Sequence, residues 1–250
     1  MCGRFALTRT LKQAEEVFGA MTGVEEYPAR YNIAPTQPIV LVTKGFGREP
    51  GSNLPDRRAL LVRWGFIPGW AKNPREFPLL INARSETAAV KETFRAAMRH
   101  RRSLIPATGF YEWKRDGANK GQAFWVRPRH GGLVAFGGLL ETYLEPGGAE
   151  IDTAAILTTG ASPGIAHIHE RMPVVIEPKD FDRWLDCINY EPRDVVDLMR
   201  HADPDYFEAI PVSDKVNKVA NTGPDIQEPI VMAEARPKPP APEGGQLSLF

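Results

Sequence analysis

The sequence has few cysteines and no excess of either charge. Cys2 and Cys187 are the only cysteines in 250 residues, too few for a disulfide framework, which predicts a reducing, cytoplasmic environment. Thirty-one basic and thirty-one acidic side chains balance, so contact with a nucleic acid would need a local basic patch. The chain has no apolar run of membrane-spanning length and no signal peptide. These absences exclude disulfide-rich, polyelectrolyte and membrane-spanning classes and predict a globular protein.

Short apolar runs, separated by Gly, Pro and polar turns, dominate the first 230 residues. They predict strands over 4–7, 39–43, 59–66, 103–107, 122–127, 133–143, 154–159 and 174–176. Helical spacing predicts helices over 8–20 behind a cap at Thr8, from a cap at Ser85 through Met98, near 180–188 and over 193–200. Many strands with few helices indicate a single α+β domain, in which helices flank a curved or barrel-like, mainly antiparallel sheet.

The composition changes after Met232. Residues 233–250 are rich in proline and glycine and predict a semi-extended tail that packs no core, so the folded domain is expected over 1–232. The tail ends in a compact apolar pattern with a leading glutamine, Gln246-Leu247-Ser248-Leu249-Phe250. Such a peptide can dock into an apolar pocket on a partner.

The N-terminus carries reactive groups. Removal of Met1 would leave Cys2 with a free α-amine, of pKa ~7.7–8.0, beside a thiol of pKa ~8.5. This aminothiol can condense with an aldehyde, or the thiol can attack an acyl carbon. Gly3 permits close backbone approach, and the charge of Arg4 is expected to lower the pKa of the neighbouring thiol or amine. The ordinary alternative is a disordered terminus with a cysteine there by chance.

Two further stretches carry groups that suit proton transfer. Glu112 lies between aromatic residues just beyond a strand, and its pKa would rise if it were buried. The alternative is a solvated glutamate. His167 and His169 would share one face of an extended chain, which suggests a metal pair; a single histidine acting as acid or base is the simpler interpretation.

Polar residues elsewhere could bind a substrate. Asn82 and Arg84 are co-facial on a short predicted strand, where an amide can orient a nucleophile and a guanidinium can hold a phosphate. The polar stretch 216–222 could line the same cleft. The densest positive run, 99–102, could face phosphates. Ordinary surface polarity is the alternative for each, and Cys187 is expected in the core near Trp184.

Several motifs together resemble the SRAP family, the SOS response-associated peptidases, and they occur in that family's order. The motifs are Met1-Cys2-Gly3-Arg4-Phe5, Tyr31-Asn32-Ile33-Ala34-Pro35, Arg63-Trp64-Gly65, Asn82-Ala83-Arg84-Ser85-Glu86, Gly109-Phe110-Tyr111-Glu112-Trp113 and His169-Glu170-Arg171-Met172-Pro173.

The resemblance implies a protein that recognises abasic sites in single-stranded DNA and crosslinks to them through Cys2 as a thiazolidine. It implies one α+β domain with a positively charged channel, and accompanying lyase or self-processing peptidase activity. Asn82 would position the terminus, and Glu112 and His169 would transfer protons. The implied DNA contacts are Arg4, Asn32, Arg84, Arg171 and either Trp64 or Trp70.

The resemblance implies no cofactor and no metal, and a one-to-one adduct favours a monomer. The C-terminal pentapeptide, with Gln246, Leu247, Leu249 and Phe250, resembles the peptide by which bacterial repair proteins bind the sliding clamp. Two alternatives of other classes stay open. One is an N-terminal-nucleophile amidohydrolase, in which the Cys2 amine activates its own thiol. The other is a non-catalytic reader of damaged DNA.

Overall fold

A computed structural model describes residues 2–45, 53–114 and 121–231. It confirms the α+β fold built on a closed, mainly antiparallel sheet. Met1, the proline-rich tail and the pentapeptide that ends at Phe250 lie outside the described residues. None of the helices in the described ranges has the length and apolar character needed to cross a membrane.

Strands make up most of the regular structure. The strands are β1 (Phe5–Leu7), β2 (Met21–Gly23), β3 (Arg30–Ile33), β4 (Pro38–Lys44), β5 (Arg57–Trp64), β6 (Asn82–Arg84), β7 (Arg102–Ala107), β8 (Gly109–Lys114), β9 (Gln122–Pro128), β10 (Val134–Leu144), β11 (Glu150–Gly160), β12 (Arg171–Pro173), β13 (Val175–Ile176) and β14 (Phe207–Val212). The α-helices are α1 (Leu11–Phe18), α2 (Ser85–Ala88), α3 (Glu92–His100) and α4 (Phe181–Leu185). Short 3₁₀ helices cover Pro74–Glu76, Pro178–Asp180, Pro192–Met199, Asp214–Asn217 and Pro224–Gln227.

The strands form two sheets. The first has the order β14-β9-β8-β1-β3. The second runs β12-β11-β10-β7-β4-β5-β2, with β6 and β13 attached to β11 and β10. A parallel pairing of β11 with β5 joins two distant members of this path, so β5, β11, β10, β7 and β4 form a closed ring. Closure removes the edges that open sheets expose.

Alternating side chains divide the interior into layers. The main core lies between the two sheets and includes Phe5, Phe110 and Ile156. A second core packs the helices on the other face of the closed sheet, around Met98 and Trp184. A third, smaller core covers the outer face of the first sheet, around Tyr111, Trp125 and Val216. Successive residues of β8 therefore face different environments.

Two predicted helices differ from the structure at their starts. Thr10, not Thr8, caps α1: its hydroxyl accepts from the Gln13 N–H at 3.2 Å, and the Gln13 side chain accepts from the Thr10 N–H at 3.1 Å. Ser85 is the first residue of α2 rather than a cap, and the helix stops at Ala88. A turn then redirects the chain, because α2 packs on β6 and β11 while α3 packs on β7 and β10.

The members of the positive run 99–102 differ in their exposure and in the partners that they bind within the protein. Arg102 is buried, and its guanidinium donates to four main-chain carbonyls, those of Met98, Trp184, Asp186 and Tyr190. Arg101 pairs with Glu141 at 2.6 Å, and Arg99 pairs with Glu191 at 3.4 Å. The prediction is wrong for Arg102, because main-chain carbonyls of α3, of α4 and of the segment after α4 accept hydrogen bonds from its guanidinium. Cys187, expected in the core, is half-buried.

Candidate active site

Cys2 lies at the centre of the candidate site. Its side chain is fully buried in the core between the sheets, although it precedes the first strand. The Asn82 Nδ2 atom donates to the Cys2 carbonyl at 2.9 Å, and the Cys2 thiol contacts the Arg4 carbonyl at 3.7 Å. The backbone of Cys2 is thus held by Asn82, and its side chain is held by the Arg4 carbonyl.

Asn82 is positioned by the closed sheet. β6 runs parallel to β11, with Asn82 opposite Ile156. Trp64, at the end of β5, donates its indole N–H to the carbonyl of Ile81 at 3.0 Å. The side-chain Oδ1 of Asn82 is buried and accepts no hydrogen bond from the described residues. An acceptor beside the Cys2 backbone is therefore available to a substrate or an amine.

Glu112 faces the same core as Cys2. It follows Tyr111, which packs on the outer face, so the alternation of β8 turns Glu112 inward, where it is buried. Burial raises the pKa of the Glu112 carboxyl, which favours the buried alternative over the solvated glutamate. Burial, and next the charge of Glu112, raise the pKa of the Cys2 thiol. The prediction that the charge of Arg4 lowers the pKa of the Cys2 thiol is wrong, because the Arg4 guanidinium lies on the other face of the sheet.

His169 completes the group. It lies in the loop before β12 and is half-buried, and its electrostatic effect on Glu112 opposes the rise in the pKa of that carboxyl that burial causes. The backbone N–H of Arg171 donates to the His169 Nδ1 atom at 2.9 Å. Because Nδ1 accepts, a neutral His169 carries its proton on Nε2. The neutral imidazole ring of His169 can therefore donate its proton only from Nε2.

Arg4 and Asn32 face away from this cleft. Arg4 donates to the Asn32 Oδ1 at 2.7 Å and to the Val216 carbonyl at 2.8 Å. The Asn32 Nδ2 donates in turn to the carbonyls of Lys218 and Asn221, at 3.1 and 2.8 Å. These bonds hold the segment 214–221 against the outer face of the first sheet. The DNA contacts of Arg4 and Asn32 stay predictions: in the DNA-free protein the Arg4 Nη1 and the Asn32 amide are bound to the protein itself, and Asn32 is buried.

The remaining predicted DNA contacts differ in how exposed their side chains are. Trp64 is fully buried and lies edge-on to Phe5, at 5.2 Å between centroids, so it has no free face for a base. Trp70 is 52% exposed and lies edge-on to Phe77. Arg84 is exposed at the end of β6. Trp70 and Arg84 are therefore the accessible members of the predicted set.

Arg171 is occupied by the protein rather than open to a phosphate. Its guanidinium donates to both carboxylate oxygens of Glu86, at 2.5 and 2.9 Å, and to the Thr158 carbonyl at 2.6 Å. Its side chain is 12% exposed. The DNA contact of Arg171 stays a prediction; in the DNA-free protein these bonds make Arg171 part of the scaffold around His169.

Comparison with known proteins identifies the family. The profile of the family described as SOS response associated peptidase (SRAP) matches residues 1–219. This chain belongs to the SRAP family. It is 35% identical over 230 residues to the abasic site processing protein YoqW of Bacillus subtilis, covering 91% of this chain and 99% of that one. It is 30% identical to the abasic site processing protein YedK of Escherichia coli, covering 92% and 100%.

A solved structure supports the fold of this SRAP domain. A crystal structure of a protein from Bacteroides thetaiotaomicron superposes with a TM-score of 0.81 at 20% identity. The match covers 92% of this chain and 100% of that one. At this identity the likeness concerns the fold alone.

The loop of this SRAP domain that carries His167 and His169 does not have the extended conformation from which a metal pair was predicted. Residues 163–168 form turns rather than an extended strand, so the alternation that suggested a His167–His169 pair fails. His167 is exposed and lies edge-on to Phe124 at 6.5 Å. Within the described ranges, His, Cys, Asp and Glu side chains form no group of three or more that could bind a metal.

Glu86 and Thr158 also belong to the site, although the sequence predicts no role for either. Both contact Arg171, and Thr158 is buried on β11 opposite Arg84 of β6. The sequence does carry one indication for Glu86, because it lies two residues after Arg84 in the motif Asn82-Ala83-Arg84-Ser85-Glu86. No pattern in the sequence indicates that β12 brings Arg171 to the carboxylate.

Proposed function

We propose that this SRAP protein processes abasic sites in single-stranded DNA, forming a covalent thiazolidine through Cys2 once Met1 is removed. The convergence of Cys2, Asn82, Glu112 and His169 in one cleft carries the proposal. The relatives named as abasic site processing proteins support the substrate. The adduct would shield the lesion during replication.

The chemistry begins with opening of the sugar. An abasic deoxyribose is mostly a closed hemiacetal, and opening it requires removal of the C1′ hydroxyl proton and protonation of the ring oxygen. Glu112 and His169 are the acceptor and donor for this step, with the His169 proton on Nε2. The product is an aldehyde at C1′ beside the Cys2 amine.

The pKa directions set the order of the two attacks. Because burial and Glu112 raise the pKa of the thiol, the thiol stays neutral near pH 7 and the amine attacks first. The carbinolamine then loses water to give an imine. The sulfur adds to the imine carbon while its proton passes to the nitrogen, so one aldehyde and one aminothiol give one thiazolidine and one water.

A competing fate of the imine explains a lyase activity. Loss of a C2′ proton to a nearby base breaks the bond from C3′ to its phosphate oxygen and cuts the strand. Glu112, whose pKa is raised by burial, is a candidate for this base. The same terminus accounts for self-processing: removal of Met1 is the peptide cleavage that the mechanism requires.

The raised thiol pKa disfavours the amidohydrolase alternative, in which the thiolate would act first on an amide. A non-catalytic reader would not need Glu112 and His169 around the terminus. The DNA contacts that fit are Trp70, as a stacking surface, and Arg84, as a phosphate partner. We also propose that the folded domain spans residues 1–232 and that the protein reacts with DNA as a monomer.

The test uses oligonucleotides with and without an abasic site, resolved under denaturing conditions. The wild type should form a band shifted only with the abasic strand, and Cys2→Ala should form none. Cys2→Ser should leave only a labile imine, since an oxygen ring is less stable. Intact mass should show loss of Met1 and an adduct formed with release of water. Glutamine hydrolysis without a shift would instead support the amidohydrolase.

The C-terminal pentapeptide adds a second, separable proposal. Gln246, Leu247, Leu249 and Phe250 would bind a sliding clamp, and residues 233–245 would act as the tether that raises the local concentration of the domain. A clamp titration should lose its signal when the last five residues are deleted. Equal binding by both forms would reject this proposal and leave the crosslinking proposal intact.

A further inference from the structure

An ion pair outside the reacting groups fixes the strand that follows His169. Glu86 lies in the first turn of α2, and both its carboxylate oxygens accept hydrogen bonds from Arg171, at 2.5 and 2.9 Å. These bonds hold the pKa of Glu86 below its ordinary value. A paired, two-point contact of this kind fixes direction as well as distance.

The other partner of Arg171 belongs to the closed sheet. Its guanidinium donates to the Thr158 carbonyl at 2.6 Å, and its backbone pairs with Gly160 of β11. Arg171 is thus held by α2 on one side and by β11 on the other. The backbone N–H of this same residue is the donor to the His169 Nδ1 atom.

We propose that Glu86 is a positioning residue for His169: by holding Arg171 on β11, it keeps the Arg171 N–H on Nδ1 and the proton of the neutral ring on Nε2. The inference rests on the proposed function in assigning proton transfer to His169. Glu86 itself touches no reacting group. Its effect passes through two contacts, from carboxylate to guanidinium and from the same residue's backbone to the imidazole.

The alternative use of Arg171 predicts the opposite result. If Arg171 bound a DNA phosphate, Glu86 would compete with that phosphate, and removing its charge would tighten DNA binding. If Glu86 positions His169, removing its charge leaves DNA affinity unchanged and slows the chemistry. The two roles therefore separate in a single variant.

The variant is Glu86→Gln, and the matched control is Glu92→Gln, an exposed glutamate in the first turn of α3. Both remove one negative charge from the start of a helix. Nitrogen-15 spectra of the histidine rings, assigned with His169→Gln, report the tautomer in DNA-free protein. We expect one tautomer, with Nε2 protonated, in wild type and control, and a mixture in Glu86→Gln.

The kinetic measurement uses two oligonucleotides. Affinity is measured with a tetrahydrofuran abasic analogue, which has no aldehyde and cannot react, and adduct formation with a true abasic site. Glu86→Gln should form adduct about tenfold to a hundredfold more slowly, as expected for a misplaced proton donor, with wild-type affinity. An unchanged tautomer, or tighter binding with a wild-type rate, would overturn the inference.

A second variant keeps the inference testable should Glu86→Gln fold poorly. Arg171→Lys retains the positive charge but lacks the fork that spans the Glu86 carboxylate, so it should also give mixed tautomers and slow adduct formation. Wild-type behaviour of Arg171→Lys in both measurements would count against the inference.

The tautomer measurement contains no DNA, so it separates this inference from the proposed function. If wild type forms no adduct while Glu86→Gln shifts the tautomer, the proposed function fails and the positioning role stands. If wild type crosslinks and the tautomer does not respond, the positioning role fails alone.

Discussion

Replacing Glu112 by glutamine is expected to make the protein more stable and less active. The carboxyl is 4% exposed, and burial raises its pKa. A group kept in the core at an energetic cost for its chemistry should improve stability when it is neutralised. The amide of Gln fills nearly the same volume but cannot accept a proton.

The pH dependence has a definite sign. A carboxyl whose pKa is raised by folding binds its proton more tightly in the folded state than in the unfolded state. Its contribution to stability is therefore lost as pH rises from about 4.3, the ordinary value for Glu, through the raised folded value. The Glu112→Gln variant has no carboxyl at this position, so it does not lose this contribution to stability as the pH rises. The stability difference between variant and wild type should be near zero at pH 4 and greatest at neutral pH.

The magnitude follows from linkage. Each unit by which the pKa is raised costs the folded wild type about 1.4 kcal/mol at neutral pH, equivalent to about 3–6 °C in Tm for a chain of this size. Expressed as a free energy, the loss of activity should be larger than this gain in stability, because a positioned proton acceptor contributes a factor of about 10²–10⁴ to the rate. Stability and rate should thus move in opposite directions.

Thermal unfolding from pH 4 to 8 and adduct formation at pH 7 measure the two effects. Glu141→Gln is the matched control: Glu141 is also a buried strand glutamate, 7% exposed, but it pairs with Arg101 at 2.6 Å. Its replacement should destabilise the protein by about 1–3 kcal/mol because Arg101 loses its partner. If Glu112→Gln is the less stable protein at pH 7, burial is not the dominant influence on this carboxyl.

Three further predictions concern tryptophan and arginine side chains. Trp64→Phe should lower the free energy of unfolding by about 2–4 kcal/mol in urea titrations, since it loses the Ile81 hydrogen bond and buried volume. Trp70→Ala should change stability by less than about 1 kcal/mol but weaken binding to the unreactive oligonucleotide by about 1–3 kcal/mol in fluorescence anisotropy; the reverse pattern would show that the wrong tryptophan is assigned to DNA. Arg102→Lys should cost about 2–4 kcal/mol in the same urea titrations, because a single ammonium cannot reach all four carbonyls. A loss below about 0.5 kcal/mol would mean that these bonds add little to stability.

The sequence predicts what local patterns encode. Apolar runs are sufficient to locate β10 and most of β11, although β11 begins at Glu150, before the predicted start at residue 154. For Glu112 the aromatic neighbours left a buried and a solvated carboxyl both open, and the structure shows it buried. The closed ring is not encoded locally in the same way. It depends on the parallel pairing of β5 with β11, which joins segments far apart in the chain.

Arginine roles were the least predictable part of the site. A guanidinium has the same local sequence whether it faces solvent or donates to carbonyls contributed by a distant loop. Arg102 illustrates this, because its donors are taken by carbonyls that include those of Asp186 and Tyr190. Arg4 is similar, because the Val216 carbonyl that it binds lies 212 residues further along the chain.

These assignments have a measurable consequence for DNA binding. The predicted phosphate contacts were Arg4, Arg84, Arg99, Arg101, Arg102 and Arg171. Within the described ranges, Arg84 is the one member of this set whose side chain forms no hydrogen bond or ion pair. The net charge of zero adds no general attraction. Recognition should therefore depend on stacking and covalent capture more than on phosphate neutralisation.

A salt titration with the unreactive oligonucleotide tests this directly. For single strands, log K falls with log salt by about 0.7 for each neutralised phosphate, so the wild-type slope should correspond to about one to three phosphates. Arg84→Gln should reduce the slope by about 0.7, whereas Lys91→Gln, an exposed cation between α2 and α3, is the matched charge control. A wild-type slope near that of six phosphates would mean that the internally paired arginines open to meet DNA. In that case the bonds of Arg4 and Arg171 would describe a resting state, and DNA binding would have to break them before crosslinking begins.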